Sequence, residues 1–152
     1  MITSSHASPR HRHPQERYKS IPGVVNTVVG YTGGTTPMPT YESIGDHTEA
    51  LRVYYDPAVV SYDELLKKFW AEHDPMPMEF TGFQYRSAVW YHDGTQLAAV
   101  ERKIGGGGSP FASKASKHTA VEAADTFYRA EEYHQQFLAK ATGRAMSVGM
   151  HQ

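Results

Sequence analysis

The stretch "IPGVVNTVVGYTGGTTPMPTYESIGDHTEALRVYYDP", Ile21 to Pro57, is dense with polar and aromatic side chains, arranged as if around a site. The chemical groups it offers are carboxyls, phenols and hydroxyls, which hold or pass protons. The chain has no cysteine, so disulfides, thiolate metal sites and thiol mechanisms are all removed and the redox compartment is unreadable. Taken singly the residues have bland readings. Glu49 in "HTEA" reads as a solvated strand-end acid, Tyr41 in "PTYE" as a loop aromatic, and Tyr85 in "FQYRS" as a core strand residue. The 10 tyrosines are a high count. Tyrosine lines polar pockets, but half-buried core and strand surface is its commoner setting. His11 and His13 make a weak metal site in a polar tail, and no metal or flavin motif is present.

Those residues need elements to position them. Residues 1–16, "MITSSHASPRHRHPQE", are almost free of apolar side chains and are expected to form a disordered tail. One helical turn is expected over 17–21, ended by Pro22-Gly23. Val24 to Tyr31 is rich in β-branched residues and predicts a strand. Gly33-Gly34, Pro37 and Pro39 predict a long loop to Tyr41. Ala50 to Tyr55 alternates, with Leu51, Val53 and Tyr55 on one face and Arg52 and Tyr54 on the other, as a half-buried strand does. Ser61-x-x-Glu64 is a capping box ahead of a helix whose Tyr62, Leu65, Leu66, Phe69 and Trp70 form one apolar stripe. His73-Asp74-Pro75 stops it, and "MPMEFTGF" reads as a loop. Tyr85 to Tyr91 predicts a strand, Thr95 to Ile104 a helix, "GGGGSPFASKASKH" a flexible connection, Thr119 to Ala124 a weak strand, and Ala130 to Ala141 a last helix. The end, 142–152, reads as frayed. The order β, β, α, β, α, β, α suggests an α+β layered sandwich.

The bulk properties exclude several classes. The 152 residues fit one domain. A net charge of −1 with neutral histidine gives no basic field to recruit nucleic acid or anionic membrane, and there is no basic stripe with a stacking platform. No apolar run approaches the roughly 18 residues of a membrane span, and no apolar segment behind Met1 suggests a secretory signal. The Ser- and Arg-bearing tail, free of acids up to Glu16, is compatible with a transit peptide. The expected location is cytoplasmic, with a plastid as the alternative.

Five segments, "PGVVNTVVGYTGGTTPMPTYE", "HTEALRVYYDP", "SYDELLKKFWAEHDP", "FQYRSAVWYH" and "FYRAEEYHQQFLAK", resemble the peptide methionine sulfoxide reductase A family in sequence and order. The resemblance runs from Pro22 to Lys140, so residues 17–141 are expected to form the domain. It implies a ferredoxin-like α/β sandwich and an oxidoreductase of protein repair under oxidative stress. The implied substrate is the S-epimer of methionine sulfoxide, free or in proteins. The implied electron source is thioredoxin, with no bound cofactor, and a monomer is expected. It places Glu49 as the buried acid that protonates the sulfoxide oxygen, and Tyr41 and Tyr85 as the hydroxyls that hold that oxygen.

The same resemblance exposes departures. The family's nucleophile lies in a Gly-Cys-Phe-Trp-Gly turn after the first strand, which falls here on Pro9-Arg10-His11-Arg12-His13, with Arg10 where the cysteine should be. The Phe and Trp that hold the substrate methyl are absent with it, and the first central strand is expected to be missing. The family's Asp ahead of Gln-Tyr-Arg falls near Glu79 or Phe80, so Glu79 is a candidate substitute. No other group replaces the cysteine, because this reduction needs a soft nucleophile that attacks sulfur and then leaves as a disulfide. The expectation is an inactive chain. Either its start is wrong, through a mispredicted first exon or a selenocysteine UGA, or it is a pseudoenzyme that binds oxidised methionine or a protein partner without turnover.

Overall fold

The β-branched run from Val24 and the alternating run into Tyr55 become the two long strands of the sheet. The computed structural model describes residues 2–3, 14–72, 77–105 and 118–135. In chain order these form β1 (Ile2–Thr3), α1 (Pro14–Lys19), β2 (Val24–Thr32), β3 (Thr48–Tyr55), α2 (Tyr62–Glu72), α3 (Met78–Thr81), β4 (Ser87–Tyr91), α4 (Gly94–Gly105), β5 (Thr119–Ala123), β6 (Tyr128–Arg129) and a 3-10 turn at Glu132–His134. The strands make one mixed sheet in the order β5-β4-β1-β3-β2-β6. All pairs are antiparallel except β4 with β5.

The register sets two faces, because side chains alternate along a strand. Val29 opposes Leu51 across β2 and β3. These two and Val89 pack with Tyr18, Leu65, Leu66, Phe69, Trp70 and Val100 from the helices in the main core. The other face carries a smaller cluster of Ala50, Ala88 and Trp90, with Phe127 against it. Ser61 caps α2 as its sequence indicates, with its Oγ accepting the Glu64 N–H at 3.1 Å. The apolar stripe of α2 is core.

Several expectations are corrected. Residues 1–16 are not a tail throughout: Ile2–Thr3 forms β1 and Pro14–Lys19 forms α1. Gln15, on α1, is buried and its amide donates to the Thr27 carbonyl at 2.8 Å, so α1 is tied to β2 by a polar contact that a search for apolar residues overlooks. The sheet does not lack a strand between β3 and β4, since β1 pairs with both, Ile2 opposite Leu51 and Val89. The helix expected from Ala130 is a 3-10 turn where it is described. There the buried Gln135 side chain accepts the Val29 N–H at 2.9 Å and donates to the Val29 carbonyl at 2.8 Å, extending the sheet edge. "MPMEFTGF" contains the one-turn helix α3. The remainder of the expected last helix, the glycine-rich connection up to residue 117 and the frayed end lie outside the described residues.

Candidate functional site

The site lies where β2 ends and β3 begins. Tyr31 and Glu49 are direct cross-strand partners there, so their side chains project from the same face of the sheet. Glu49 also donates its backbone N–H to the Gln84 carbonyl at 3.0 Å. That bond brings the segment ahead of β4 alongside and places Tyr85 near the carboxyl. The loop between β2 and β3 supplies Tyr41.

The loop is held by its own polar groups. Asp46 accepts the N–H groups of Thr35 and Thr36 at 2.8 and 3.0 Å and their hydroxyls at 2.7 and 2.9 Å. The Thr35 hydroxyl, the Thr36 and Thr35 amides and the Thr36 hydroxyl hold the Asp46 carboxyl well below the usual range. His47 is buried, accepts the Gly34 N–H on Nδ1 at 3.2 Å and has its Nε2 2.6 Å from the Thr36 carbonyl. The tautomer with the proton on Nε2 satisfies both partners. A Cβ at Gly34 would lie 2.5 Å from the Asp46 carboxylate and 2.7 Å from the His47 nitrogen, so this turn admits only glycine.

At the centre the Tyr41 and Tyr85 hydroxyls lie close enough to influence each other. Gln84 donates its side-chain amide to the Tyr85 oxygen at 3.1 Å. Burial, the neighbouring Tyr41 hydroxyl and the nearby Glu49 carboxyl raise the Tyr85 phenol above its ordinary value. Burial raises the Glu49 carboxyl, and among the described residues its side chain has no hydrogen-bond partner. Desolvation disfavours the charged form of an acid, so burial favours the protonated form of the Glu49 carboxyl beside two phenols. Tyr41 is 41 % exposed, which leaves the group open to a ligand. The arrangement can bind a polar oxygen and protonate it.

Behind this group stands a part of the site that residue types did not suggest. Glu131 accepts the Tyr31 hydroxyl at 2.7 Å and the Tyr41 N–H at 3.0 Å. The His134 ring packs on Tyr41 with centroids 4.6 Å apart. Burial opposes ionisation of Glu131, but the Tyr41 amide, its own backbone amide, the Tyr31 hydroxyl and His134 outweigh it and lower the carboxyl. These residues lie in "GYTGG" and "AEEYHQ"; the 90 and 100 positions between Glu131 and its partners hide the contact from local patterns.

Glu79 is not brought to this group. It is exposed on α3, and no hydrogen bond or ion pair joins it to Glu49, Tyr41 or Tyr85. Arg10, His11 and His13 lie outside the described residues. Among the described residues no cluster of three or more His, Asp or Glu is placed to hold a metal, and no helix is long and apolar enough to cross a membrane.

Comparison with known proteins gives this geometry its family. The profile described as "Peptide methionine sulfoxide reductase" matches residues 14–152. The chain belongs to the peptide methionine sulfoxide reductase family. It is 42 % identical over 137 residues to peptide methionine sulfoxide reductase MsrA of Methanothermobacter thermautotrophicus, covering 83 % of this chain and 79 % of that one. It is 38 % identical over 144 residues to MsrA of Geobacter sulfurreducens, covering 86 % of each. Among solved structures it resembles methionine sulfoxide reductase A of Corynebacterium diphtheriae, with a TM-score of 0.69, 30 % identity and coverage of 88 % of this chain and 72 % of that one. It also resembles reduced Mxr1 of Saccharomyces cerevisiae, with a TM-score of 0.65, 26 % identity and coverage of 86 % and 78 %. The family match begins at Pro14.

Proposed function

We propose that this chain binds methionine S-sulfoxide, free or in a polypeptide, by its sulfoxide oxygen, and does not reduce it unaided. The observation that carries the reading is the neighbouring pair of phenols, Tyr41 and Tyr85, beside the burial-raised carboxyl of Glu49, which has no hydrogen-bond partner among the described residues. A sulfoxide oxygen is an acceptor without a proton. It can sit between the phenols and take a hydrogen bond from each, while Glu49 supplies the proton that makes the oxygen a better leaving group. Reduction of the sulfoxide to the thioether releases that oxygen as water and consumes two electrons and two protons. In the thiol route the electrons come from a thiolate that attacks sulfur and ends in a disulfide, and the 152 residues contain no cysteine. In a chain with the nucleophile restored, thioredoxin would return the electrons and no bound cofactor would be needed. The protein acts as a monomer without nucleic acid or membrane partners. The core order β1-α1-β2-β3-α2-β4, with β4-β1-β3-β2 across the sheet, supports a ferredoxin-like, split βαβ architecture.

The test is binding of a methionine S-sulfoxide peptide by calorimetry, against the R-epimer and the unoxidised peptide. The S-epimer binds selectively, and Tyr85→Phe weakens it about fivefold, the worth of one neutral hydrogen bond. Equal binding of all three peptides would sink the reading. A second arm writes the family turn into the chain (Pro9→Gly, Arg10→Cys, His11→Phe, Arg12→Trp, His13→Gly) and assays sulfoxide reduction with thioredoxin. The unaltered chain shows no turnover and the altered chain shows some.

A further inference from the structure

We propose that Glu131 is a positioning residue: its two carboxylate oxygens divide between the Tyr41 backbone and the Tyr31 hydroxyl, fixing the loop that carries one site phenol and withholding from Glu49 a proton donor that lies opposite it on the sheet. The first half is direct geometry. Oε1 takes the Tyr41 N–H at 3.0 Å, and the His134 ring lies against the Tyr41 ring in the same turn, so one short segment grips Tyr41 at backbone and ring. The second half follows from the register. Tyr31 and Glu49 are directly paired, and side chains at such positions reach one another. Tyr31 is 1 % exposed, so its hydroxyl must find a buried partner, and the two acceptors at hand are Glu131 and Glu49. It donates to Glu131 Oε2 at 2.7 Å. Among the described residues Glu49 is left without a donor, and burial of a carboxyl that receives no hydrogen bond favours its protonated form.

The titratable groups around Glu49 are Tyr31 from β2, Tyr85 ahead of β4, Tyr41 from the loop, and, beyond Tyr31, Glu131 with His134 at 3.9 Å from it. Arg86 is turned away, forked onto Glu122 at 2.7 and 3.2 Å in the cluster of the other face. If Glu131 were lost, Tyr31 would turn to Glu49, and a hydrogen bond to the charged carboxylate would favour that form. The acid of the site would then be ionised over more of the pH range.

This inference rests on the reading of Glu49 as the site acid, but its first measurement needs no ligand. In the full chain carrying 13C-labelled glutamate, the Glu49 carboxyl is titrated by NMR, with its signal assigned through Glu49→Gln. Glu131→Leu moves the Glu49 midpoint downward, while Tyr31→Phe alone leaves it in place. In the double variant the midpoint returns, because no hydroxyl remains to donate. An unchanged midpoint in a folded Glu131→Leu protein overturns the proposal. So does a downward shift that persists in the double variant, which would mean that the lost negative charge acts through space. If Glu131→Leu does not fold, Glu131→Gln carries the same measurement, since the amide nitrogen that replaces one of the two oxygens cannot accept from the donor it faces, and the same outcomes decide it. Separately, Glu131→Gln weakens S-sulfoxide peptide binding about tenfold through loosening of Tyr41, the scale of one lost charge-assisted hydrogen bond. If no peptide binds the parent chain, the functional reading fails while the titration still decides the role of Glu131.

Discussion

At the residue scale the molecule turns on a half-buried acid. Glu49 has its carboxyl raised by burial, and that has a consequence for stability. In the window between the ordinary glutamate value and the raised one, the folded state holds a proton that the unfolded state has released, so stability falls as pH rises. The contribution is fully present below the unfolded value, about 4.3 for a glutamate, and is lost as pH passes through the folded value. Glu49→Gln removes this term. The melting temperature of the variant, followed from about pH 4 to about pH 8, should rise relative to the parent chain toward the alkaline end. Parallel curves would show that Glu49 is solvated as its strand-end position suggests. Asp46 has the opposite sign: its carboxyl is lowered, first by the Thr35 hydroxyl and then by the Thr36 and Thr35 amides. What it lends to the loop is present above the unfolded aspartate value and is lost as pH falls.

At the scale of elements, strands and loop were legible to different degrees, for physical reasons. β2 could be read from its β-branched run, β3 because a half-buried strand imposes a period of two, and α2 because its stripe and Ser61 cap are local. The loop from Gly33 to His47 could be read as turn-rich, but not as rigid. Its rigidity comes from Asp46 and His47 reaching back 10 to 13 positions to Gly34, Thr35 and Thr36. The one-turn α3 and the 3-10 turn at Glu132–His134 are too short for any periodicity. The segment from Ala130 reads as a helix in the sequence, whereas the Gln135 side chain pairs with β2. The loop's stiffness is testable at Gly34. A Cβ there meets Asp46 and the His47 backbone, so Gly34→Ala must displace one arm of the loop, at a cost of about 1–3 kcal/mol for overpacking. Because Tyr41 sits on this loop, sulfoxide peptide affinity should fall together with the melting temperature. An alanine variant with unaltered affinity would show that the loop does not position Tyr41.

At the scale of the whole molecule, the site depends on how β1 divides its neighbours. β3 and β4 are separated by β1 at Leu51 and Val89, both opposite Ile2. Two residues before Leu51, β3 meets the segment that leads into β4 through the Glu49 N–H and the Gln84 carbonyl. The sheet therefore splays around a two-residue strand and closes at the acid. No local pattern signals this, since a two-residue strand is too short to show a periodicity and is held by the backbone groups on either side. The family resemblance identified Glu49, Tyr41 and Tyr85, and the fold brings them together. It is the closure of β3 on the segment that leads into β4, not the motifs, that sets the Glu49 to Tyr85 spacing. Deleting residues 1–3 should leave the inner edges of β3 and β4 unpaired and exposed, as edges that promote aggregation. The expected loss is about 2–4 kcal/mol, a few net hydrogen bonds, with increased binding of a hydrophobic dye. The Glu49 to Gln84 bond should shift as the gap collapses, so sulfoxide affinity should fall even at temperatures where the shortened chain is folded. A deletion that changes neither melting temperature nor dye binding would mean that β1 does not hold the sheet. Lowered stability with unchanged affinity would mean that β3 and β4 find their spacing without it.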